Sequence, residues 1–426
     1  MGGVPLASGG HAESPFRGAL NRPVMSDALP HPSPDEHLPA AALARAALAQ
    51  LAESAGIRRV HVLAWRDLAD VEAGGSELHA ATIARHWAAA GIDVTLRSSY
   101  AQGSPPTAVR DGYRVIRRAG RYAIFPRAVL AELVGRHGPR DALVEIWNGV
   151  PFFSPLWCRG PRVVFLHHHH EKMWPLVLPA RYAHLGSLLE TRIAPPMYRA
   201  ASIVTLSESS KRELVDHMHL KASSIRVVPP GIDERYTPSG TKSDHPLVVS
   251  VGRLMPSKRF DVLIDALDVV RRTRPDTELV IVGEGYERDY LQQHIAGRNA
   301  SSWVRLVGRV SDEELLSLYR RAWVVASASI AEGWGMTLTE AAACGTPAIA
   351  TSIAGHRDAV ADGQSGLLVD DDHELAQRLL EVLSEPVLRD RLSVGALAHA
   401  ARYTWAATAH GAMQALVDDA KRHRHR

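Results

Sequence analysis

Two carboxylates eight residues apart are the first candidates for chemistry in this sequence. Glu332 and Glu340 begin and end the stretch EGWGMTLTE. An apolar run at 322–327 precedes it and predicts a buried strand, and the apolar residues after Gly335 predict a helix that stops near Pro347. We therefore expect Glu332 in a strand-to-helix turn and Glu340 about two turns down the helix.

The spacing of the two carboxylates argues against a hydrolase pair. Eight residues at helical rise separate two backbones by about 12 Å, whereas hydrolase carboxylates stand about 5–9.5 Å apart. We expect Glu340 to accept hydrogen bonds from a pair of ligand hydroxyls, and Glu332 to contact another part of the same ligand. The alternative is an ordinary turn with a solvated Glu340.

The ends of two predicted strands carry groups that suit a phosphate. Gly333 and Gly335 let the backbone approach a ligand at a helix N-terminus, where unpaired N–H groups favour an anion. Arg253 and Lys258 follow the predicted strand 247–251. Arginine offers a fork to phosphate oxygens and lysine a mobile charge, although two cations in a loop are more often solvated.

The elements around these residues predict an α/β fold with two doubly wound parallel sheets. A linker at 227–245 separates two series of apolar runs with helical segments between them, so a ligand cleft is expected where the strands end. Gly74 and Gly75 form a turn between the first strand and its helix but lack the full dinucleotide fingerprint. The predicted strands are 60–64, 94–96, 143–146, 163–166 and 203–206, then 247–251, 279–282, 304–307, 323–326, 348–351 and 367–369.

Composition limits the class of protein. The 426 residues suffice for two domains, and 46% hydrophobic with 22% charged residues is typical of a soluble protein. A net charge of +3 gives no indication of nucleic-acid binding, and no run of 18 uncharged apolar residues predicts a membrane span. Cys158 and Cys344 lie in apolar surroundings, which favours a reducing cytoplasm over a disulfide. Residues 1–40 predict a disordered leader without a secretory signal, followed by a helix at 38–51.

Taken together, these motifs resemble the retaining glycosyltransferases of family 4, which have the GT-B architecture of two facing Rossmann-like domains. The resemblance covers residues from about 57 to about 405, in the order expected of the family. Trp334 stands where phenylalanine is commoner. The motifs that carry the resemblance are AGGSE at 73–77, NGVP at 148–151, VTLSES at 204–209, GR at 252–253, KR at 258–259, and EGWG at 332–335 with Glu340, Gly345 and Pro347.

The resemblance implies a role for each site residue. Arg253 and Lys258 would bind the donor diphosphate, Glu340 the ribose hydroxyls and Glu332 the transferred sugar. Gly74 and Gly75 would approach the donor phosphates from the opposite domain. The other donor-binding positions implied are Gly333, Trp334, Gly335, Met336 and Thr337, with backbone amides of the last three on the phosphates, and Arg309 and Val310 beside the base.

Four consecutive histidines follow the predicted strand 163–166. Adjacent side chains alternate in an extended chain, so at most two could share a metal, and no carboxylate or cysteine has a matching spacing. The family resemblance places the first histidine, His167, beside the reacting sugar as a catalytic residue. His170 is the second candidate.

Two charged segments have a functional and an ordinary explanation. Asp370, Asp371 and Asp372 imitate a metal-binding motif, but a helix N-cap explains them better. Eight arginines, from Arg110 to Arg140, are interleaved with aromatic residues and could contact an anionic membrane. The alternative is a solvated basic face.

The sequence therefore predicts a cytoplasmic glycosyltransferase, peripheral to the membrane if the basic face binds lipid. It would move a hexose-type sugar from a nucleotide-diphosphate sugar to a hydroxyl acceptor, with no metal and no cofactor. A GT-B epimerase, a phosphorylase or a non-catalytic sugar-nucleotide-binding protein are the alternatives. The predicted domains are an acceptor-side domain at 55–240 and a donor domain at 241–405, and then a helix with a basic, frayed tail at 406–426.

Overall fold

The computed structural model describes residues 34–171, 173–177 and 179–424. Its first sheet has eight strands. They are β1 (Arg59–Leu63), β2 (Asp93–Ser98), β3 (Thr107–Arg110), β4 (Tyr113–Arg117), β5 (Ala142–Trp147), β6 (Arg162–Leu166), β7 (Ser202–Thr205) and β8 (Ile225–Val227). Their order is β3-β4-β2-β1-β5-β6-β7-β8, with parallel pairing except between β3 and β4.

Helices flank this sheet. They are α1 (Pro34–Ser54), α2 (Gly75–Ala89), α3 (Ile124–Leu133), α4 (Ser154–Trp157), α5 (Trp174–Val177), α6 (Ala180–Leu188), α7 (Pro195–Tyr198) and α8 (Glu208–Met218), with a π-helical turn at Leu189–Ile193. α2 and the strands at the centre of the sheet share one buried core. The predicted leader lies mostly outside the described residues, but α1 begins at Pro34, four residues before the predicted start.

The second sheet has six parallel strands in the order β11-β10-β9-β12-β13-β14. The strands are β9 (Leu247–Val251), β10 (Glu278–Val282), β11 (Val304–Gly308), β12 (Val324–Ser327), β13 (Ala348–Thr351) and β14 (Gly366–Val369). Its helices are α9 (Phe260–Arg271), α10 (Arg288–Gly297), α11 (Asp312–Arg321), α12 (Met336–Ala343), α13 (His356–Ala359), α14 (Asp372–Ser384) and α15 (Pro386–Ala400). Two doubly wound α/β sheets therefore confirm the predicted fold class, and both belong to one compact unit that begins at Ala41.

Three strands were not predicted from the sequence: β3, β4 and the short strand β8. The hairpin of β3 and β4 was missed, although Asp111 and Gly112 have the positive φ angles of a two-residue hairpin turn and Asp-Gly is a strong signal for one. α8 begins at Glu208. Ser207 is its N-cap and accepts a hydrogen bond from the Ser210 amide.

The last helix, α16 (Trp405–Arg424), returns to the first sheet. The Trp87 indole on α2 donates to the Ala409 carbonyl at 2.9 Å, and the buried side chains of α16 join the core of the first half. The predicted fraying was wrong for residues 421–424, since the helix continues to Arg424, whose guanidinium donates to the Ala55 carbonyl at 2.6 Å. The chain therefore crosses between the halves twice.

One buried carboxylate holds α16 in place. Asp419 is 5% exposed and accepts hydrogen bonds from the Arg162 amide at 2.8 Å and from the Ser202 hydroxyl at 3.0 Å. Replacing Asp419 by alanine removes the carboxylate that accepts hydrogen bonds from the Arg162 amide and the Ser202 hydroxyl. We expect a loss of roughly 1–3 kcal/mol in the free energy of unfolding, measured by urea denaturation.

Asp418→Ala is the matched control, because the neighbouring Asp418 pairs with Arg226 at the surface. Such exposed pairs contribute about 0–1 kcal/mol. Equal losses for the two variants would contradict the anchoring role of Asp419.

Candidate active site between the two sheets

The turn between β12 and α12 is built from close backbone contacts. Gly335 is the N-cap of α12 with φ +111°, a conformation that L side chains rarely adopt. Gly355 lies against the turn so closely that a Cβ there would be 2.6 Å from the Glu332 carbonyl oxygen. Since α12 starts at Met336, Glu340 is just over one turn into the helix, and the predicted two turns were wrong.

Glu332 is paired with Lys258 in this turn. A short 3₁₀ turn at Pro256–Lys258 after β9 presents the Lys258 ammonium to the Glu332 carboxylate, which also accepts from the Ser329 hydroxyl at 3.1 Å. Burial raises the pKa of Glu332, but the charge of Lys258 and the hydrogen bonds from Lys258 and Ser329 outweigh burial and leave this pKa below its usual value. The carboxylate is therefore ionised at neutral pH.

His356 is a member of this site that the sequence did not reveal. Its ring is 1% exposed, and its Nδ1 lies 2.9 Å from the Thr351 carbonyl oxygen. A Cβ on Gly335 would lie 3.1 Å from its Cδ2. Burial lowers the pKa of His356 despite the opposing charge of Glu332, so the ring is neutral at pH 7.

Arg253 reaches across to the first half of the molecule. Its Nε lies 3.6 Å from where a Cβ on Gly74 would be, and its guanidinium points at the Glu72 carbonyl oxygen at 3.5 Å. Burial, then the like charge of Arg66, lowers the pKa of Arg253, while the charges of Glu77 and Glu72 act against this. The guanidinium is thus held between the two halves, next to the glycine turn.

The glycine turn itself faces α12. Gly74 is the N-cap of α2, and its amide donates to the Glu77 carboxylate at 2.8 Å. A Cβ on Gly75 would lie 3.4 Å from the Met336 Sδ. The N-termini of α2 and α12 therefore approach each other from opposite sheets, which is an arrangement that favours an anion between them.

Glu340 on α12 is a carboxylate with a raised pKa. It is buried, and its Oε2 accepts a hydrogen bond from the Tyr319 hydroxyl at 3.1 Å. Burial raises its pKa to about 7, although the bond from Tyr319 acts in the opposite direction. Glu340 therefore changes charge near neutral pH. Tyr319 was not singled out from the sequence.

Other predicted residues serve the contact between the halves. A Cβ on Gly333 would be 2.7 Å from the His167 carbonyl oxygen, and Arg309 donates to the Val71 carbonyl at 3.0 Å. Val310 is half-buried against the core of the second half, and Thr337 is half-buried in the first turn of α12.

The Trp334 side chain is buried in the protein interior. Its side chain is 3% exposed in a hydrophobic cluster with Leu206 and Ala359 and lies edge-on to Tyr403. As a donor-binding position it offers only its backbone.

The four histidines divide into separate environments. His167 is 4% exposed, and its Nε2 lies 3.2 Å from the His79 Nδ1; burial lowers its pKa to about 4. His170 contacts the buried Glu190 at 2.9 Å and the Asn148 side-chain oxygen at 2.8 Å. Neither sequence candidate has both ring nitrogens free.

His168 has a ring nitrogen without a partner. Its ring packs on that of His170 at 4.1 Å, its Nε2 is buried and unpartnered, and Lys258 is one of the charges that act on it. It is the histidine of this group that meets the donor-side charges.

A carboxylate from the second half caps α8 in the first half. Asp358 on α13 accepts from the Glu208 amide at 3.0 Å and from the Ser209 amide at 3.1 Å, and the Ser209 hydroxyl accepts from the Gly355 amide at 2.8 Å. A carboxylate is favourable at a helix N-terminus. Because Gly355 packs on the Glu332 turn, this contact fixes the turn relative to the first sheet.

The acidic triplet is accounted for structurally. Asp371 is the N-cap of α14 and accepts from the Glu374 amide at 2.8 Å, which confirms the predicted cap, and Asp372 pairs with Arg259. In the part of the chain that the structure describes, no group of three or more histidine, cysteine, aspartate or glutamate side chains is arranged to hold a metal ion.

The basic segment is less exposed than its composition suggests. Arg110 and Arg117 both bind Asp67, while Arg121 binds Glu72. Arg114 and Arg140 also have internal partners. Five of the eight arginines therefore have partners inside the protein, and the other three, Arg118, Arg127 and Arg136, are exposed.

An exposed apolar surface accompanies these three arginines. On and beside α3, Leu130 is 61% exposed, Leu133 60%, Val134 65% and Tyr122 77%. No helix within the described residues is long and apolar enough to cross a bilayer. We call these four residues with Arg118, Arg127 and Arg136 the α3 surface.

Comparisons with known proteins agree with this architecture. A model described as Glycosyltransferase Family 4 matches residues 73–236, and one described as Glycosyl transferases group 1 matches residues 232–398. The sucrose-phosphate synthase of Thermosynechococcus elongatus superposes with a TM-score of 0.71 at 21% identity, covering 83% of this chain and 96% of that one. The Anabaena protein HepE, solved with UDP-glucose, gives a TM-score of 0.64 at 19% identity over 83% of this chain and 98% of that one.

Two curated relatives share the name D-inositol 3-phosphate glycosyltransferase. The protein of Stackebrandtia nassauensis is 34% identical over 52% of this chain, but the match spans only 55% of the relative's own length. The protein of Paenarthrobacter aurescens is 29% identical over 79% of this chain and 91% of the relative. The two family matches, the relatives and the GT-B neighbours lead to one conclusion: the chain belongs to the group 1 glycosyltransferases of family 4.

Proposed function

We propose that the protein moves a hexose-type sugar from a nucleotide-diphosphate sugar to a hydroxyl acceptor, with retention of configuration and without a metal ion. The observation that carries the proposal is the gathering of Lys258, Arg253 and Glu332 beside the N-terminus of α12, where the two halves meet. Fixed cations and helix amides stabilise negative charge that develops on a leaving diphosphate.

The Lys258–Glu332 pair suggests how the donor enters. A diphosphate offers Lys258 oxygens of higher negative charge than one carboxylate, so it competes with Glu332 for the ammonium. Glu332 is then free to accept hydrogen bonds from hydroxyls of the transferred sugar. Arg253, Gly74 and Gly75 contribute to the diphosphate from the opposite side of the gap.

The remaining roles are those that the family resemblance implies. Glu340 binds the ribose hydroxyls, Arg309 and Val310 border the base, and the amides of Gly335, Met336 and Thr337 bind phosphate. A histidine after β6 contacts a sugar hydroxyl; His168 is better disposed for this than His167, whose Nε2 faces His79.

The names of related proteins support this class of substrates. Relatives are named for glycosyl transfer and for D-inositol 3-phosphate, and HepE was solved with UDP-glucose. A nucleotide-sugar donor and a hydroxyl-bearing acceptor agree with these names. We place the reaction in the cytoplasm, with the α3 surface on the inner face of the membrane.

Removing either cation should slow the chemical step more than it weakens donor binding. Charge on the diphosphate grows as the glycosidic bond breaks, so Lys258→Ala and Arg253→Ala should each lower kcat by about 10²–10³. The double variant should lose less than the product of the single effects, because both groups act at one site. The measurement is kcat and donor KM for the three variants.

Arg298→Ala is the control for these variants, since Arg298 is an exposed cation of the second half that pairs with Asp265. Its kcat should equal that of the wild type. A raised KM with unchanged kcat in Lys258→Ala and Arg253→Ala would show that the cations serve binding only.

Nucleotide affinity should rise with pH through the titration of Glu340. The ionised carboxylate is the better acceptor for ribose hydroxyls, and with a pKa of about 7 it is largely protonated at pH 6. Linkage then predicts that nucleoside diphosphate affinity is about tenfold lower at pH 6 than at pH 8. Calorimetric titration at several pH values measures this.

Glu340→Gln separates this effect from titration of the nucleotide itself. The variant keeps the size of the side chain but has no charge to lose. Its affinity for the nucleoside diphosphate should be lower than that of the wild type at pH 8. Once the titration of the nucleotide phosphates is subtracted, this affinity should be nearly independent of pH. The same pH dependence in wild type and Glu340→Gln would exclude Glu340 as the ribose-binding carboxylate.

Membrane contact should depend on the apolar part of the α3 surface. Burial of one leucine side chain is worth roughly 1.5–3 kcal/mol, so Leu130→Glu combined with Leu133→Glu should lower binding to vesicles containing phosphatidylglycerol at least about tenfold. Sedimentation with the vesicles measures the bound fraction.

Val387→Glu is the matched control, because Val387 is 84% exposed on α15 of the other half. It should bind the vesicles as the wild type does. If the wild type does not sediment with the vesicles, or if the control and the double variant lose binding equally, the α3 surface is not a membrane contact.

A further inference from the structure

A buried arginine in the first half lacks a carboxylate partner. Arg97 on β2 is 4% exposed, and its Nε has no hydrogen-bond partner. Its terminal nitrogens contact the His137 Nε2 and the Arg127 carbonyl oxygen. Burial lowers its pKa, and the charges of Arg118, Arg127 and Arg136 act in the same direction, whereas Glu132 opposes them.

Glu132 cannot neutralise Arg97 alone, because it is already shared. It lies 2.9 Å from the His61 Nδ1 and 3.4 Å from the Arg140 guanidinium. A buried charge without a close counter-ion is costly. The region around Arg97 therefore retains an excess of positive charge.

An open cavity lies beside this charge. Its volume is about 480 Å³, and it is at the end of the sheet where β1, β2 and β4 begin, opposite the strand ends that form the candidate active site. Its charged and titratable lining consists of Arg59, His61, Asp93, Arg114 and His137.

Two arginines supply the positive lining. Arg59 is paired with Asp141 at 2.7 Å. Arg114 binds the Thr95 hydroxyl and donates to the His137 carbonyl at 2.7 Å, with no carboxylate among its partners in the described residues. Asp93 is an exposed acid that partly opposes these charges.

His137 connects the buried charge to the cavity. A guanidinium can only donate, so the His137 Nε2 that faces Arg97 must be the accepting nitrogen. The proton of the neutral imidazole is then on Nδ1. Burial and then the charge of Arg97 lower the pKa of His137 to about 4, which keeps the ring neutral, and the contact with Arg97 fixes this tautomer. His137 thus presents an N–H donor, polarised by Arg97.

We infer that this cavity binds a phosphate-type anion between His137, Arg114 and Arg59. Nδ1–H of His137 and the two guanidinium groups donate to its oxygens, and its charge compensates Arg97. The anion is either a soluble phosphate or the phosphate headgroup of a lipid, since α3 ends at Leu133, four residues before His137 in the chain.

The first experiment uses the full chain carrying Lys258→Ala, which weakens phosphate binding at the candidate active site. Thermal unfolding is measured with increasing sodium phosphate against sodium chloride at constant ionic strength. A second arm measures sedimentation with phosphatidylcholine vesicles that contain or lack phosphatidic acid. Saturable stabilisation by phosphate indicates a soluble ligand, and binding only to phosphatidic acid vesicles indicates a headgroup; either result supports the site.

Two variants test the position of the site. His137→Gln should weaken the anion effect at least tenfold. Val109→Glu adds a negative charge to the cavity at a side chain that is 78% exposed, so it should weaken binding to the same extent without disturbing the core. Arg305→Gln, an exposed cation on β11, is the control and should bind as its parent does.

The inference is overturned if neither phosphate nor phosphatidic acid vesicles bind, or if Val109→Glu binds them as tightly as Arg305→Gln. Neither result bears on sugar transfer, which depends on the opposite end of the sheets.

Discussion

The ion pair between Lys258 and Glu332 is the interaction on which the rest of the site depends. It joins the loop after β9 to the turn before α12, so the two strand ends that flank the centre of the second sheet are held together. The pair keeps Glu332 ionised in a half-buried position. The pair also holds a cation near the N-terminus of α12. In the function that we propose, a diphosphate takes the place of Glu332 beside this cation, so ligand binding is an exchange of partners, which costs less than burying a new charge.

The Lys258–Glu332 pair faces a cleft only if the first sheet lies close to the second. Several contacts between the two halves hold the sheets in this arrangement. The Gly333 backbone approaches the His167 carbonyl, Arg309 reaches Val71, and Asp358 caps α8. α16 packs on the first half after the second half is complete, so the two halves are tied at both crossings of the chain. Gly333 stands at one of these contacts, because a Cβ there would be too close to the His167 backbone.

The sequence was a good guide to the central strands and a poor one to side-chain partners. Buried parallel strands are continuous apolar runs, and the predicted runs lie within a residue or two of the observed strands. The hairpin of β3 and β4 was missed because its residues are half polar and only Asp111 and Gly112 mark it.

The sequence indicated those parts of the candidate site that consist of short, continuous motifs. The Glu332 turn and the glycine turn are local patterns, and both lie where the halves meet. Partners such as His356 for Glu332, Tyr319 for Glu340 and His79 for His167 are brought together by the fold, the last across 88 residues. Trp334 lies within the motif, but its side chain packs into the core.

The most direct test of the account is thermal unfolding with a panel of nucleoside diphosphates and their sugars in the presence of EDTA. A ligand at 100 times its Kd adds about 2.7 kcal/mol to the free energy of unfolding. We expect at least one nucleoside diphosphate to stabilise the protein by this amount without metal. Stabilisation by none of them, or only after magnesium or manganese is added, would contradict a cleft that holds a diphosphate through Lys258, Arg253 and the α12 N-terminus.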